Sequence, residues 1–175
     1  MSNYELIALD MDGTLLNSQK KISKPTIAAI KKATSLNKYV VLSTGRGLAE
    51  LKDYENEICD IQYGVLESGA LVYDLKNRKI IHQEYIPFNI VDKIMAVASQ
   101  SDIMVHLFNN GSSIVSKKNL SEMARYHMGI YQPMFQRVTT TVDDIYSFSK
   151  DKMIEKINLY HLNEEARKKS YQLLK

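Results

Sequence analysis

The sequence predicts an α/β fold, with a parallel-sheet core in the first half and an α+β unit in the second. Three observations carry that expectation. Up to Leu66, short apolar runs alternate with segments of helical period, the order expected of a parallel sheet with right-handed crossovers. The first three of those runs each end in a loop of carboxylates, hydroxyls and glycines. After Ser68-Gly69-Ala70 the pattern changes to hairpins separated by single helices.

Along the chain, residues 4–9 form an apolar run suited to a buried strand. Ser23 can cap a helix with Pro25 in its first turn, where a missing N–H costs nothing. Ile27, Ile30 and Ala33 recur at helical spacing, and Asn37 is a stop. Residues 39–42 read as a second buried strand. It passes through Ser43-Thr44-Gly45-Arg46 into a helix with Leu48, Leu51, Tyr54 and Ile58 on one face. Residues 61–66 give a third strand, and 71–73 with 79–85 an antiparallel hairpin. The core therefore spans residues 1–86.

The unit over 87–175 is expected to run helix (89–99), strand (103–108), turn, strand (113–116) and helix (119–128). Its turn, Asn109-Asn110-Gly111, suits a hairpin because Asn and Gly tolerate positive φ. Thr141, with Asp144 three residues on, predicts the start of another short helix. Residues 153–160 read as a strand, and Asn163 caps a last helix with Glu164 and Glu165 in its first turn.

The totals narrow the function classes. Of 175 residues, 45% are hydrophobic and 25% charged, the balance of a globular protein with a real core. The net charge of +3 and the scattered lysine pairs give no nucleic-acid stripe. Nor does any apolar run reach membrane-spanning length. Cys59 is the single cysteine, and no basic-then-apolar leader opens the chain, so a cytoplasmic location is expected. His82, His106, His127 and His161 show no paired metal spacing and read as structural or surface residues.

In open parallel sheets ligands bind beyond the carboxyl ends of the strands. Asp10 there can attack phosphorus if a cation screens the incoming charge. Asp12, two positions on, can protonate the leaving oxygen and then activate water. Gly13 permits a sharp turn. Thr44 offers either a phosphate-binding hydroxyl or a helix cap, and the Gly45 amide a donor at a helix N-terminus. Arg46 reads equally as a substrate-facing cation or an ordinary surface residue.

"DMDGTLLNS" (10–18) resembles the first motif of the haloacid dehalogenase superfamily, and "VVLSTGR" (40–46) is similar to the second motif of its Cof-type phosphatases. The helical "ISKPTIAAIKKA" (22–33) between them sits where that branch has a helix. The resemblance implies a Rossmann-like core and an inserted α+β cap that excludes water and selects substrate. It implies that Asp10 forms an aspartyl-phosphate and that Asp12 is the general acid/base. It further implies Mg²⁺ held by the Asp10 side chain and the Asp12 carbonyl, with Met11, Thr44, Gly45 and Arg46 around the phosphate. The expected substrates are small phosphorylated metabolites, sugar phosphates among them. A phosphomutase with the same core, and an inactive phosphate-ligand or protein-interaction module, are the alternative readings.

The same resemblance implies a later lysine and an acidic Gly-Asp loop after the cap, and neither occurs before Lys175. The expectation is therefore a core without its C-terminal part, an incomplete cap over 87–175, poor or no hydrolysis by this chain alone, and a sheet edge beside the first strand open to self-association. Ser68 stands where the branch usually has Asn before Gly-Ala.

Overall fold

The computed structural model describes residues 4–175, which fall into two units, the first ending at Glu84 and the second running Tyr85–Lys175. In the first unit β1 (Leu6–Leu9) pairs in parallel with β2 (Tyr39–Ser43), and β2 with β3 (Tyr63–Leu66). The chain then reverses. β3 pairs antiparallel with β4 (Leu71–Asp74), and β4 with β5 (Lys79–Gln83), so the hairpin extends one five-stranded sheet in the order β1-β2-β3-β4-β5.

Between β1 and β2, helix α1 (Lys24–Ser35) begins where Ser23 Oγ accepts a hydrogen bond from the Thr26 amide at 3.3 Å, with Pro25 in the first turn. It stops before Asn37, whose φ of 57° is left-handed. Ile30 is buried, and Ile27 and Ala33 pack beside it against Val40, Leu42, Leu15 and Leu16.

Two expectations need correction. The first strand is not buried: Leu6 is 57% exposed and Ile7 38%, because β1 lies at the sheet's edge with β2 as its one partner among the described residues. The segment after Arg46 is a 3-10 helix, Leu48–Tyr54, not an α-helix face reaching Ile58. Leu48, Leu51 and Tyr54 recur every three residues, and i,i+3 side chains align in a 3-10 turn. Ile58 still enters the core in the turns that follow.

The second unit carries a four-stranded sheet in the spatial order 139–142, 112–116, 103–109 and 156–161. Helix α2 (Phe88–Ser99) leads into β6 (Ile103–Asn109), whose two-residue turn places Asn110 at φ 49° and Gly111 at φ 71° before β7 (Ser112–Ser116). Both positive values are those of a twisted hairpin turn. β9 (Lys156–His161) pairs antiparallel on the other side of β6. Val91 and Met95 of α2 pack on one face of the sheet with Ile103, Val105 and Leu107. Met104, Val115, Met123, Tyr126 and Phe135 fill the other.

Here too the sequence reading needs correction. The helix expected over 119–128 breaks into α3 (Lys117–Ser121) and a 3-10 turn, Met123–Tyr126. A further helix, α4 (Gln132–Val138), and strand β8 (Thr139–Val142) follow. Thr141 therefore lies in β8, opposite Val115, and Asp144 is the cap of α5 (Ile145–Lys150), accepting from the amides of Tyr146 at 2.9 Å and Ser147 at 3.2 Å. Tertiary pairing with β7 overrides the local capping pattern. The final helix, α6 (Glu164–Leu174), starts as expected, with Asn163 Oδ1 accepting from the Ala166 amide at 2.9 Å.

Candidate active site

The loop after β1 is built around Met11, which is fully buried, while Asp10 and Asp12 on either side of it are exposed. The Asp10 carbonyl accepts from the Leu15 amide at 3.0 Å, and the Met11 carbonyl from the Leu16 amide at 2.9 Å. Between these closures Gly13 adopts φ +84° with nothing within 4 Å of where a Cβ would stand, so the backbone angle alone requires glycine. The sequence reading gave Met11 no anchoring role. Its thioether packs with Leu15 and Leu16 in the core and holds both carboxylates outward.

The loop after β2 starts at Thr44, which is buried. Its amide donates to the Val65 carbonyl at 3.0 Å, and its carbonyl accepts from the Ser68 amide at 3.2 Å. Its Oγ1 accepts from the Arg46 amide at 3.2 Å, which leaves the hydroxyl proton available to a ligand. Thr44 does not cap the following helix; Gly47 does, and the Gly47 amide donates to Glu50 Oε2 at 2.7 Å. Gly45 consequently sits before the cap rather than at a helix N-terminus, a correction to the sequence reading. The third loop is tied to the second: the Glu67 amide donates to the Arg46 carbonyl at 2.9 Å. Glu67, Ser68 and Gly69 turn there through three successive positive φ values, 56°, 63° and 105°.

Side chains from two of these loops meet at Asp12. Arg46 Nε donates to Oδ2 at 2.7 Å and Nη2 to Oδ1 at 3.0 Å. Lys20 Nζ lies 2.9 Å from the same Oδ1. Hydrogen bonding from Arg46, opposed by partial burial and reinforced by Lys20, holds the Asp12 carboxyl down at about 2. The Arg46 guanidinium is mostly covered and lies over the Tyr54 ring, 5.4 Å from its centroid. Lys20 is the residue that sequence reasoning missed. In sequence it is one of an ordinary lysine pair, and nothing in its spacing points to Asp12.

No group of three or more His, Cys, Asp or Glu side chains gathers among the described residues. The exposed Asp10 carboxylate and the Asp12 carbonyl are hard oxygen donors on one tight turn, and they fit Mg²⁺, which keeps several waters and shares its shell with substrate phosphate. No helix among the described residues is long and apolar enough to cross a membrane.

The family model of haloacid dehalogenase-like hydrolases matches residues 7–175. The chain is 36% identical over 88 residues to the 5-amino-6-(5-phospho-D-ribitylamino)uracil phosphatase YcsE of Bacillus subtilis, covering 48% of this chain and 35% of that one. It is 25% identical over 147 residues to YxeH of the same organism, covering 81% of this chain and 54% of that one. A solved phosphatase of the superfamily, BT1666 from Bacteroides thetaiotaomicron, superposes with a TM-score of 0.74 at 26% identity, over 98% of this chain and 60% of that one. The chain thus spans about half the length of the curated relatives it matches. With its two motifs on adjacent parallel strands and the family match running to its last residue, this chain belongs to the haloacid dehalogenase-like hydrolases, in their Cof-type branch.

Proposed function

We propose that the loops after β1 and β2 bind the phosphoryl group of a small phosphorylated metabolite and transfer it to Asp10. The observation that carries this reading is the placement of Asp10, Asp12, Thr44 and Arg46 at the carboxyl ends of two neighbouring parallel strands, with Arg46 reaching across to Asp12. A sugar phosphate or a similar compound is the expected substrate class; one similar protein is named for a phosphorylated ribitylaminouracil. In this reading residues 87–175 serve as the cap.

An Asp10 carboxylate oxygen attacks phosphorus, and the bond from phosphorus to the alkoxide oxygen breaks. Asp12, released as the Arg46 guanidinium turns to the phosphoryl oxygens and then protonated from solvent, delivers that proton to the departing oxygen, and afterwards accepts one from the water that attacks the aspartyl-phosphate and releases orthophosphate. The Thr44 hydroxyl, the Met11 and Gly45 amides and the Arg46 guanidinium hold the equatorial oxygens. Mg²⁺ bound by the Asp10 side chain and the Asp12 carbonyl would offset charge between the nucleophile and the phosphate. That shell would hold a single carboxylate side chain, Asp10, with no acidic cluster beside it among the described residues, so slow turnover is expected of residues 1–175.

The test is orthophosphate release from a panel of phosphorylated sugars and nucleotides, with and without Mg²⁺. Slow, Mg²⁺-dependent release that disappears in Asp10→Asn supports the reading. Release that survives Asp10→Asn contradicts it. A second reading, a binding module without turnover, draws on the absence of an acidic cluster among the described residues. Metal-independent ligand binding with no release in any condition would favour that one.

A further inference from the structure

We propose that Lys20 is a substrate-phosphate ligand: with Arg46 it forms a two-cation clamp that holds Asp12 in the free chain and passes to the phosphoryl oxygens when substrate enters. The inference rests on the phosphoryl-binding reading above and adds to it a residue from the loop between β1 and α1.

Both cations converge on one oxygen. Lys20 Nζ is 2.9 Å and Arg46 Nη2 3.0 Å from Asp12 Oδ1. The Lys20 backbone has φ 57°, a conformation that side-chain-bearing residues avoid. It is held there on several sides. The Lys20 amide donates to the Asn17 carbonyl at 2.9 Å, and the Asn17 amide to the Lys21 carbonyl at 3.0 Å. Asn17 Oδ1 accepts from the amides of Gln19 at 2.9 Å and Lys21 at 3.0 Å. Finally, the Tyr54 hydroxyl donates to the Lys20 carbonyl at 3.2 Å.

Tyr54 is buried, and its ring also lies under the Arg46 guanidinium. One core tyrosine therefore braces the backbone of one cation and the plane of the other, which makes it a positioning residue for the pair. An ion pair between half-exposed groups contributes little stability, so stability does not account for this bracing. Backbone strain that its surroundings over-determine is concentrated at ligand sites.

The exchange is chemically favourable. Asp12 offers one negative charge, whereas a phosphoryl group offers up to two and three acceptor oxygens spread in space. The planar guanidinium and the compact ammonium can then each take their own oxygen instead of sharing Oδ1. The Lys20 side chain is half-exposed on a flexible stem, so it can swing while its backbone stays fixed.

Titration of the 175-residue chain with inorganic orthophosphate, followed by calorimetry, tests the clamp. Lys20→Gln should raise Kd about tenfold and Lys20→Arg should restore it to within about threefold, the scale of one charge-assisted hydrogen bond. Asp12→Asn, which removes the competing carboxylate, should tighten binding. Lys20→Gly relieves the left-handed backbone, so it should raise thermal stability while weakening phosphate binding; a merely structural lysine would leave phosphate affinity unchanged. If wild type binds orthophosphate and both Lys20→Gln and Lys20→Gly bind it equally well, Lys20 is not a ligand, and the phosphoryl-site reading stands without it. If neither wild type nor Asp12→Asn binds orthophosphate, the phosphoryl-site reading falls and the clamp falls with it.

Discussion

Arg46 grips Asp12 at two points, Nε to Oδ2 at 2.7 Å and Nη2 to Oδ1 at 3.0 Å, across 34 positions of sequence. The two residues come from the loops that follow β1 and β2, which run in parallel with Leu9 beside Leu42. Their fork is thus a direct product of the strand order, and it bears on what each carboxylate of the first motif can do.

That fork sets an acid window. Asp12 has an ordinary value of 3.8 and is held at about 2 in the fold, first by the Arg46 hydrogen bond. The unfolded chain takes up the proton first as pH falls. The contribution is intact above about pH 4 and is lost as pH drops through about 2. Arg46→Met should move the Asp12 titration midpoint up towards the ordinary value, read from its side-chain carboxyl carbon by NMR. An unchanged midpoint would show that the fork does not operate in solution.

Gly13 allows a cleaner test of the turn. A Cβ there meets nothing within 4 Å, so Gly13→Ala pays for its φ of +84° alone. The expected loss is about 1 kcal/mol, the cost of a left-handed residue with a side chain, measured by urea denaturation. A loss several times larger would mean that the turn is packed more tightly than its geometry indicates.

Much of this site was legible in the sequence because its signals are local. The first motif, the strand ends and the Ser23 cap each lie within a few residues of what they determine. The parts that were not legible depend on pairing at a distance. The open edge beside the first strand was expected, yet the apolar run over residues 4–9 still read as buried, because its composition does not register that the edge leaves Leu6 and Ile7 exposed. Thr141 and Asp144 fit a capping pattern, yet pairing with β7 takes Thr141 into a strand and leaves the cap to Asp144. Lys20 reaches Asp12 through a loop whose shape depends on Asn17 and on Tyr54, the latter far along the chain.

His106 predicts a second acid sensitivity, beginning at higher pH, in the other unit. Its Nε2 lies 2.6 Å from Ser113 Oγ, and its Nδ1 has no hydrogen-bond partner among the described residues. The ring is buried between Phe108 and Phe135, at 4.3 and 4.9 Å. Burial, with the Lys156 charge adding to it, lowers its value from 6.5 to about 3. Between those limits the unfolded chain binds a proton that the fold excludes. Stability should therefore be flat above about pH 6.5 and fall on acidification below it, by up to about 1.4 kcal/mol per pH unit. Urea denaturation between pH 7 and 4 should show that slope in wild type and its loss in His106→Gln.

The β1 edge should govern association. Leu6 and Ile7 are exposed on a strand with one partner among the described residues, the kind of edge that recruits another strand. The 175-residue chain alone is expected to self-associate in sedimentation velocity, and Ile7→Lys to shift it towards monomer. A wild-type chain that stays monomeric at high concentration would contradict this.

Transfer of a phosphoryl group to Asp10 can be trapped chemically, by incubating the chain with Mg²⁺ and acetyl phosphate, reducing with borohydride, and locating the product by peptide mass spectrometry. An aspartyl-phosphate at position 10 is converted to homoserine, and slow turnover does not prevent its capture. Homoserine is expected at position 10 in wild type and is expected to be absent in Asp10→Asn. Wild type with aspartate unmodified at position 10, or a label that persists elsewhere in Asp10→Asn, would contradict that transfer.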